Sequence, residues 1–392
     1  MKAPLGSYAL MASGLKLANG ALVQSPTAIN IDVPASCSNS GGIPLEAPVS
    51  YSIEFSSFVD FAGNTSVPND YSNNLLNNLG NLTGTKPYLR IGGNTQDFAI
   101  FNASLEVAQV GIIIPAVSPD YPRNLTIGPR FYESFTTLPD TKYIYGFNLA
   151  SNGTQGRQSL LATAQHACQA LQDGKLAYWE LGNEPDLYDR TSALGARRPE
   201  SWNEADYVNE WLNGTRAIHD TIAQYCPSLA GNSSYKYYAP SFSGTGNTHL
   251  DPLKTWEAGL DADKDIGLIS SHNYINGATV PGVTLQGTLM NHTNTIASVA
   301  LQLNESAHLA ALPASLNPSL PFILGETNSL YNQGAPGLSN SFGAALWGVD
   351  FALYCYAHNI RRVHFHQGTN YRYQSWQPVE TDLVARGTKA PY

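Results

Sequence analysis

Short apolar runs with strand character alternate with longer segments of helical period along most of the chain. Between most of the runs the apolar positions recur at the 3.6-residue spacing of an amphipathic helix. This alternation predicts parallel βα units. The predicted strands are Ser50–Phe55, Tyr88–Ile91, Tyr143–Asn148, Leu176–Leu181, Tyr237–Pro240, Ile266–Ser270, Pro321–Leu324 and Arg362–Phe365. The predicted helices are Asp70–Leu82, Gln158–Leu171, Glu204–Tyr225, Leu285–Ala311 and Asn340–His358.

Eight strands that alternate with helices fit a closed barrel better than an open doubly wound sheet. Gly92 and Gly93 follow the second strand, but no G-x-G-x-x-G dinucleotide fingerprint accompanies them. The pattern therefore predicts an α/β fold of the (β/α)8 TIM-barrel class. In such barrels the chemistry lies at the carboxyl ends of the strands, so residues at strand ends are the candidates for function.

The two ends of the chain do not fit the barrel pattern. Ala28–Val33 alternates like a strand, but the Pro/Ser/Gly-rich segment Pro34–Pro48 separates it from the barrel. We assign residues 26–48 to a strand of another sheet and its linker, and residues 49–392 to the barrel. Gln367–Tyr392 has no helical period, so we expect the eighth helix to be missing. Lys16 interrupts the apolar part of residues 1–25, which is either a weak signal peptide or a misplaced gene start.

Charge and composition narrow the function classes. Only 13% of the 392 residues are charged and the formal net charge is -9. A nucleic-acid partner is excluded because phosphate binding needs a basic face. A small anionic substrate is not excluded, because a few local donors can hold one carboxylate. No apolar run reaches the length of a membrane-spanning helix.

Asn-x-Ser/Thr sequons and cysteines bear on the compartment. About five sequons are expected by chance in a chain this rich in Asn, Ser and Thr, so the larger number found indicates a secreted glycoprotein. Cys168 and Cys226 lie near the ends of neighbouring predicted helices, so a disulfide and two buried thiols both remain open. No cysteine pair has metal-ligand spacing. The sequons begin at Asn64, Asn81, Asn102, Asn124, Asn152, Asn213, Asn232, Asn291 and Asn304.

One strand end carries three acidic residues, within the sequence YWELGNEPDLY (Tyr178–Tyr188). Glu184 comes directly after the fourth strand, in a turn shaped by Gly182 and Pro185. Glu180 lies inside the strand and is predicted to be a structural interior group. Asp186 is predicted to be a loop former. Glu184 is therefore the catalytic candidate.

The seventh strand repeats this layout in PFILGETN (Pro321–Asn328). The strand is predicted to end at Gly325, with Glu326 directly after it. Carboxyl groups at the ends of the fourth and seventh strands can point at one sugar from opposite sides. This suits cleavage of a glycosidic bond, in which one protonates the leaving oxygen and the other attacks the anomeric carbon. We assign Glu184 as general acid/base and Glu326 as nucleophile. The charge of one carboxylate helps the other to keep its proton.

Six stretches of the chain resemble glycoside hydrolase family 79, the β-glucuronidase group within the large clan of barrels whose acid/base follows an Asn. The resemblance implies a retaining exo-β-glucuronidase that removes terminal glucuronic acid or its 4-O-methyl form from glycans. It implies that Asn183 binds the sugar 2-hydroxyl. The stretches are IEFSSF (Ile53–Phe58), YLRIGGNTQD (Tyr88–Asp97), ELGNEPDLY (Glu180–Tyr188), SHNY (Ser271–Tyr274), ILGETNSLY (Ile323–Tyr331) and VHFHQGTNYRYQSWQP (Val363–Pro378).

The resemblance also suggests roles for residues around the two glutamates. Glu54 and Asn94 are expected to bind the sugar, and Tyr274 to hydrogen-bond the nucleophile. Tyrosine hydroxyls and backbone amides, rather than a Lys/Arg cluster, are expected to hold the uronate carboxylate. Arg90 either holds a catalytic carboxylate or is a structural residue of the barrel. The tyrosine candidates for the carboxylate are Tyr331, Tyr371 and Tyr373, and Trp376 is a candidate for the cleft wall.

Histidines and cofactors complete the set of expectations. His364 and His366 share one face of the eighth strand, but zinc needs a third ligand. We therefore expect hydrogen-bonding or packing roles for both, a packing role for His272, and no metal or cofactor.

Two other functions stay open. One is an endo-acting hydrolase of uronate polysaccharides, similar to heparanases. The other is an inactive carbohydrate-binding barrel. Members of the family usually continue past this point into a last helix and a β-sandwich, whereas this chain ends at Tyr392. From this we expect a C-terminally incomplete barrel with exposed apolar surface.

Overall fold

The computed structural model describes residues 42–116, 118–189, 196–246, 248–316 and 318–392. The predicted strand Ala28–Val33, the N-terminal segment and Cys37 lie outside these residues. The helices are α1 (Phe58–Ala62), α2 (Asp70–Thr83), α3 (Gly153–Ala170), α4 (Glu204–Tyr225), α5 (Pro252–Glu257), α6 (His292–Ala310) and α7 (Phe342–Ala357). The strands are β1 (Val49–Glu54), β2 (Leu89–Gly92), β3 (Ala99–Phe101), β4 (Gln109–Ile112), β5 (Asn124–Ile127), β6 (Tyr143–Phe147), β7 (Leu176–Leu181), β8 (Tyr237–Phe242), β9 (Ile266–Gly277), β10 (Phe322–Tyr331), β11 (Ile360–Gln367), β12 (Trp376–Gln377) and β13 (Gly387–Thr388).

Eight of these strands close into a parallel barrel in the order β1-β11-β10-β9-β8-β7-β6-β2. The barrel closes where β1 pairs in parallel with β11, from Val49 opposite Val363 to Ile53 opposite Gln367. Each of the eight predicted strands overlaps one strand of this barrel. The predicted (β/α)8 class is therefore confirmed.

Helix α4 shows how the sequence pattern produces a barrel helix. Its bounds are the predicted ones, and its N-terminus is closed by a capping box in which Asn203 accepts from the Asp206 amide and Asp206 accepts from the Asn203 amide. Tyr207, Trp211 and Ile218 lie on its buried face. The helical period thus selects the face that covers the barrel.

The predicted helix Leu285–Ala311 is wrong as a single element. A π-type turn occupies Leu285–Leu289, and α6 begins only at His292. The Asn291 side chain accepts from the Thr293 amide and caps α6. The break lies where this polar cap starts a new helix.

Strands β9 and β10 run beyond their predicted ends, so Gly325 does not end its strand. The two polar extensions pair with each other, with Glu326 opposite His272 and Leu330 opposite Asn276. Glu326 and Tyr274 therefore lie within strands rather than after them. Polar residues continue these strands because the backbone pairing and the buried site, rather than apolar packing, hold them.

The connections after the second and eighth barrel strands contain no α-helix in the described residues. After β2 the chain forms a small mixed sheet in the order β3-β5-β4, followed by a 3-10 segment at Pro129–Thr136. After β11 the described residues form turns and the short antiparallel pair β12-β13. The expected lack of a helix in Gln367–Tyr392 is confirmed.

Cys168 and Cys226 form a disulfide that joins α3 to the end of α4, which decides between the two states that the sequence left open. Cys355 is a buried free thiol. In the part of the chain that the structure describes, no helix has both the length and the apolar character needed to cross a bilayer.

Candidate active site

Glu184 follows β7 directly and is held in an unusual backbone conformation. Its φ and ψ are 47° and 53°, in the left-handed region. Gly182, with φ 83°, and Pro185, which opens the next turn, flank it. The Glu184 amide donates to the Ser241 carbonyl oxygen over 3.1 Å. This strained turn aims the carboxyl group into the mouth of the barrel.

Glu326 points into the same mouth from β10 and is 5% exposed. Arg90 Nη1 donates to its Oε2 over 2.6 Å, and the Tyr274 hydroxyl donates to its Oε1 over 2.7 Å. Both oxygens therefore have a fixed donor. The expected contact between Tyr274 and Glu326 is present.

The two glutamates come together as the sequence predicted. A carboxylate oxygen of Glu184, one of Glu326 and a ring nitrogen of His272 all lie within 4.8 Å of one another. Among the described residues these three are the group that could hold a metal ion. The absence of a metal from the reaction stays a prediction.

His272 was expected to pack, and this expectation is wrong. Its Nδ1 lies 3.0 Å from Glu184 Oε1, in hydrogen-bond contact. Burial lowers the pKa of His272 to about 4, so the ring is neutral at neutral pH. Alternation along β9 was the available signal, because positions i and i+2 put His272 and Tyr274 on one face of the strand.

Arg90 is the buried hub of the site. It has both roles that the sequence left open, because it holds a catalytic carboxylate and also forms a structural ion pair inside the barrel. Its guanidinium binds Glu180 through Nε and Nη2, at 2.8 and 3.0 Å, while Nη1 holds Glu326. Nη2 also donates to Asn183 Oδ1 over 2.8 Å. A Cβ on Gly92 would lie 2.6 Å from Arg90 Nε, so the glycine makes room for the guanidinium. Glu180 is thus the predicted interior group, and its partner is Arg90.

The environments of Glu184 and Glu326 move their proton affinities apart. Burial, and then the charge of Glu326, raise the pKa of Glu184 to about 8. Burial also opposes ionisation of Glu326, but His366, Arg90 and the Tyr274 hydroxyl outweigh it and lower the pKa of Glu326 well below its ordinary value. At neutral pH one group holds a proton and the other is ionised. An acid beside a carboxylate is the pairing that glycoside hydrolysis uses.

Glu54 is buried and engaged by donors from the protein itself. The Thr95 amide and hydroxyl donate to Oε1 over 2.8 and 2.6 Å, and the Tyr371 hydroxyl donates to Oε2 over 3.0 Å. A Cβ on Gly93 would lie 2.9 Å from Oε1, so only glycine allows this approach. The sugar-binding role expected of Glu54 stays a prediction.

His366 connects Glu54 to the nucleophile candidate. Its Nε2 lies 3.4 Å from Glu54 Oε2, and its Nδ1 lies 2.8 Å from Ser52 Oγ and 3.6 Å from Glu326 Oε2. Burial opposes protonation of the ring, but Glu326 and Glu54 outweigh it and raise the pKa of His366. His364 turns away from these carboxylates and contacts the Tyr51 carbonyl oxygen at 3.3 Å.

Asn183 is held in place through its backbone by Asp97, a residue that sequence reasoning did not single out for a role. Asp97 Oδ2 accepts from the Asn183 amide over 2.9 Å and from the Tyr188 hydroxyl over 2.5 Å. Asn94 is partly exposed and begins the 3-10 segment that also contains Asp97. The sugar contacts expected of Asn183 and Asn94 stay predictions.

Asp186 is more than the loop former that was predicted. It is 1% exposed, and it accepts from the Ser243 amide over 2.9 Å and the Ser243 hydroxyl over 2.7 Å. It therefore ties the loop after β7 to the end of β8. Burial, and then the nearby charge of Glu184, raise the pKa of Asp186 to about 6.

The tyrosine candidates are divided between two places. Tyr371 and Tyr373 pack with Tyr274 beside Glu326, with ring centroids 5.7 and 6.2 Å apart along the series. Tyr331, 41% exposed, lies at the end of β10 with its ring over Gly277. Its part in carboxylate binding stays a prediction.

Trp376 does not line the cleft as expected. It is fully buried against Tyr51 and Phe61, and its Nε1 donates to Ser72 Oγ over 3.0 Å. The short β12-β13 pair carries this indole into the core beside α2, away from the carboxylates.

Comparison with known proteins places this site in context. No protein-family model matches the chain. It is 58% identical over 364 residues to a β-glucuronidase of Aspergillus niger, a match that covers 93% of this chain and 66% of the relative. It is also 58% identical over 350 residues to a β-glucuronidase of Neurospora crassa, covering 89% and 62%. The chain thus spans slightly less than two thirds of the length of these relatives.

Two solved structures share the fold. A 4-O-α-L-rhamnosyl-β-D-glucuronidase from Fusarium oxysporum 12S, solved as a Rha-GlcA complex, superposes with a TM-score of 0.69 at 26% identity, covering 91% of this chain and 69% of that chain. A family 51 α-L-arabinofuranosidase from Bifidobacterium longum superposes with a TM-score of 0.56 at 14% identity, over 92% and 73%, and shows the fold alone. With the barrel, the paired glutamates and the two relatives at 58% identity, the chain is similar to the β-glucuronidases of glycoside hydrolase family 79.

Proposed function

We propose that this protein is a retaining exo-β-glucuronidase. The observation that carries the proposal is the placement of Glu184 and Glu326 with carboxylate oxygens within 4.8 Å of each other. Carboxyl groups separated by about 5–5.5 Å favour direct attack by one of them, whereas inverting enzymes leave room for a water at about 6.5–9.5 Å. The pKa of Glu184 is raised and that of Glu326 is lowered, which supports Glu184 as the acid/base and Glu326 as the nucleophile.

In the proposed first step Glu326 Oε attacks the anomeric carbon while Glu184 gives its proton to the glycosidic oxygen. The leaving group departs as an alcohol and a glycosyl ester of Glu326 remains. In the second step Glu184, now ionised, takes a proton from water, and that water displaces Glu326. Arg90 and Tyr274 hold Glu326 in place, and His272 orients Glu184 through its 3.0 Å contact.

The proposed substrate is a glycan that carries a terminal β-linked glucuronic acid or 4-O-methylglucuronic acid. The β-glucuronidases at 58% identity support the sugar. Asn183 is proposed to bind the 2-hydroxyl, and Tyr371, Tyr373 and Tyr331 are the candidates for the carboxylate. Glu54 and Asn94 complete the proposed sugar pocket.

Replacement of the nucleophile tests the mechanism. For Glu326→Ala we expect hydrolysis of an aryl β-glucuronide to fall by roughly 10⁴- to 10⁶-fold. Azide should restore turnover and yield the inverted α-glucuronosyl azide, because it fills the space of the lost carboxylate. With Glu184→Ala, azide should instead give the retained β-azide. Exposed Glu106 offers the matched control, Glu106→Ala. Near-normal hydrolysis by Glu326→Ala would refute the assignment.

A substrate screen tests the sugar and the mode of action. We expect aryl β-glucuronides to be cleaved and the matching glucosides and xylosides to be left intact. A uronate polysaccharide should release only monomeric uronic acid from its ends. Release of oligosaccharides would indicate the endo-acting alternative, and binding of glucuronate without any turnover would indicate the inactive barrel.

We also propose that the protein works outside the cell. The Cys168–Cys226 disulfide supports an oxidising compartment. Of the nine sequon asparagines, all but Asn291 are exposed and thus accessible to glycans. Mass spectrometry of peptides from the protein secreted by a fungal host, before and after enzymatic deglycosylation, tests this. Recovery solely from the cytosol, without glycans, would argue against it.

A further inference from the structure

Two arginines lie against one aromatic ring on the catalytic face of the barrel. The guanidinium carbon of Arg123 is 4.6 Å from the centroid of the Phe98 ring, and that of Arg197 is 4.2 Å from it. Phe98 ends the 3-10 segment that follows β2, Arg123 precedes β5, and Arg197 belongs to the loop after β7. Separate loops thus bring Arg123 and Arg197, here called the arginine pair, to one place.

The charge of the arginine pair is poorly compensated by the protein. Within the described residues Arg123 has no carboxylate within 4.0 Å; its Nη1 donates to the Tyr121 hydroxyl over 3.4 Å, and its buried Nε has no hydrogen-bond partner. Arg197 lies 3.6 Å from Asp97, whose oxygens already accept from Asn183 and Tyr188. Cation–π contact with Phe98 holds both groups there but does not cancel their mutual repulsion. An anion placed between them would.

Asp97 connects the arginine pair to the loop that carries the acid/base. Asp97 links Arg197 to the amide of Asn183, the residue before Glu184. The Phe98 ring packs against the buried cluster of Tyr121, Tyr371 and Tyr373. In glycoside hydrolysis the acid/base faces the leaving group. Both arginines are partly exposed, so a ligand can reach them.

We propose that the arginine pair binds an anionic substituent, a carboxylate or a sulfate, on the leaving-group side of the scissile bond. This rests on the proposed glucuronidase function and narrows its substrates to glucuronides of acidic aglycones or acidic neighbouring sugars. Guanidinium groups suit this task because their planar donor forks match carboxylate and sulfate oxygens. In a chain of net charge -9, such a local cationic group favours the approach of an anion to this place.

Paired substrates test the proposal. The substrates are three aryl β-glucuronides whose phenol carries a para-carboxylate, a para-sulfonate or a neutral para-acetyl group. Hydrolysis of each is measured for the wild type, Arg123→Gln, Arg197→Gln and the double variant. We expect the ratio of kcat/KM for the acidic over the neutral substrate to fall about tenfold for each single variant. Comparing this ratio between variants cancels the intrinsic reactivity of each phenol. Raising the salt concentration should lower the wild-type ratio and leave the double variant's ratio unchanged.

The exposed Arg157, on α3, supplies the control Arg157→Gln, which should keep the wild-type ratio. If the arginine variants keep that ratio too, the pair is merely structural and the proposal is wrong, even if their melting temperatures fall. If carboxylate and sulfonate respond differently, the larger effect identifies the preferred anion. Failure of the glucuronidase proposal can be told apart from failure of the arginine-pair proposal, because the wild type would then hydrolyse none of the three substrates.

Discussion

At the scale of single residues, the site is a set of carboxylates whose proton affinities depend on what each one touches. Glu184 has a neutral histidine and a buried setting, whereas Glu326 has a guanidinium and a tyrosine hydroxyl. The same residue type therefore takes two states at one pH. The closed barrel brings the two glutamates together from β7 and β10, and their different hydrogen-bond partners set their different proton affinities.

The pH profile should show this difference. The proton on Glu184 is present below its pKa of about 8 and is lost above it. We therefore expect kcat/KM for a phenyl β-glucuronide to fall as the pH rises through about 8. A 2,4-dinitrophenyl leaving group needs little acid help, so Glu184→Ala should keep much of its activity on that substrate and lose the alkaline fall. An unchanged alkaline limb in that variant would assign it to another group.

Arg90 should be the most costly single residue to remove. Arg90→Met leaves Glu180 buried without its partner, and loss of one member of a buried pair costs about 3–5 kcal/mol. We expect this loss in the free energy of unfolding, measured in denaturant, together with loss of activity. Arg216→Met removes an exposed ion pair with Asp263 and is the control expected to show no measurable change. Equal stability of the two variants would contradict the role of Arg90.

At the scale of elements, a helix with a local cap was easier to predict than the outer ends of strands. α4 has the predicted bounds because its cap, its apolar face and Pro227 all act locally. The outer halves of β9 and β10 are polar, and only pairing with each other makes them strands. The residues of one extension do not indicate by themselves that the other extension will pair with it.

The cap of α4 can be tested directly. Asn203→Ala removes the oxygen that accepts from the Ala205 and Asp206 amides, and we expect a loss of about 1 kcal/mol in the free energy of unfolding. Asn152 stands at the same position of α3 but makes no capping bond with its side chain. Asn152→Ala should therefore cost much less, when both proteins are made without N-glycans. A similar loss for both would mean that capping is not the cause.

At the scale of the whole molecule, the disulfide is the main covalent constraint in the described part of the chain. Cys168 and Cys226 are 58 residues apart in sequence. Closing a loop of that size removes about 4 kcal/mol of chain entropy from the unfolded state in the usual entropic account.

We therefore expect the double variant Cys168→Ala, Cys226→Ala to lose up to about 4 kcal/mol in the free energy of unfolding. A chemical reductant should destabilise the wild type and leave the double variant unaffected. Cys355→Ala removes the buried free thiol and should stay sensitive to the reductant. Equal sensitivity of the wild type and the double variant would show that the disulfide does not form in solution.

The sequence by itself predicted the eight-strand barrel and selected the two glutamates, because apolar periodicity and a Gly followed by a Glu near the end of a strand are local features, whereas it left the role of Arg90 open. Tertiary structure alone decided that His272 contacts Glu184, that His366 bridges Glu54 and Glu326, and that Trp376 is in the core. It also brought Arg123 and Arg197 to Phe98. These contacts join loops and strands far apart in sequence. They form only once the barrel closes, so a pattern of neighbouring residues in the sequence could not predict them.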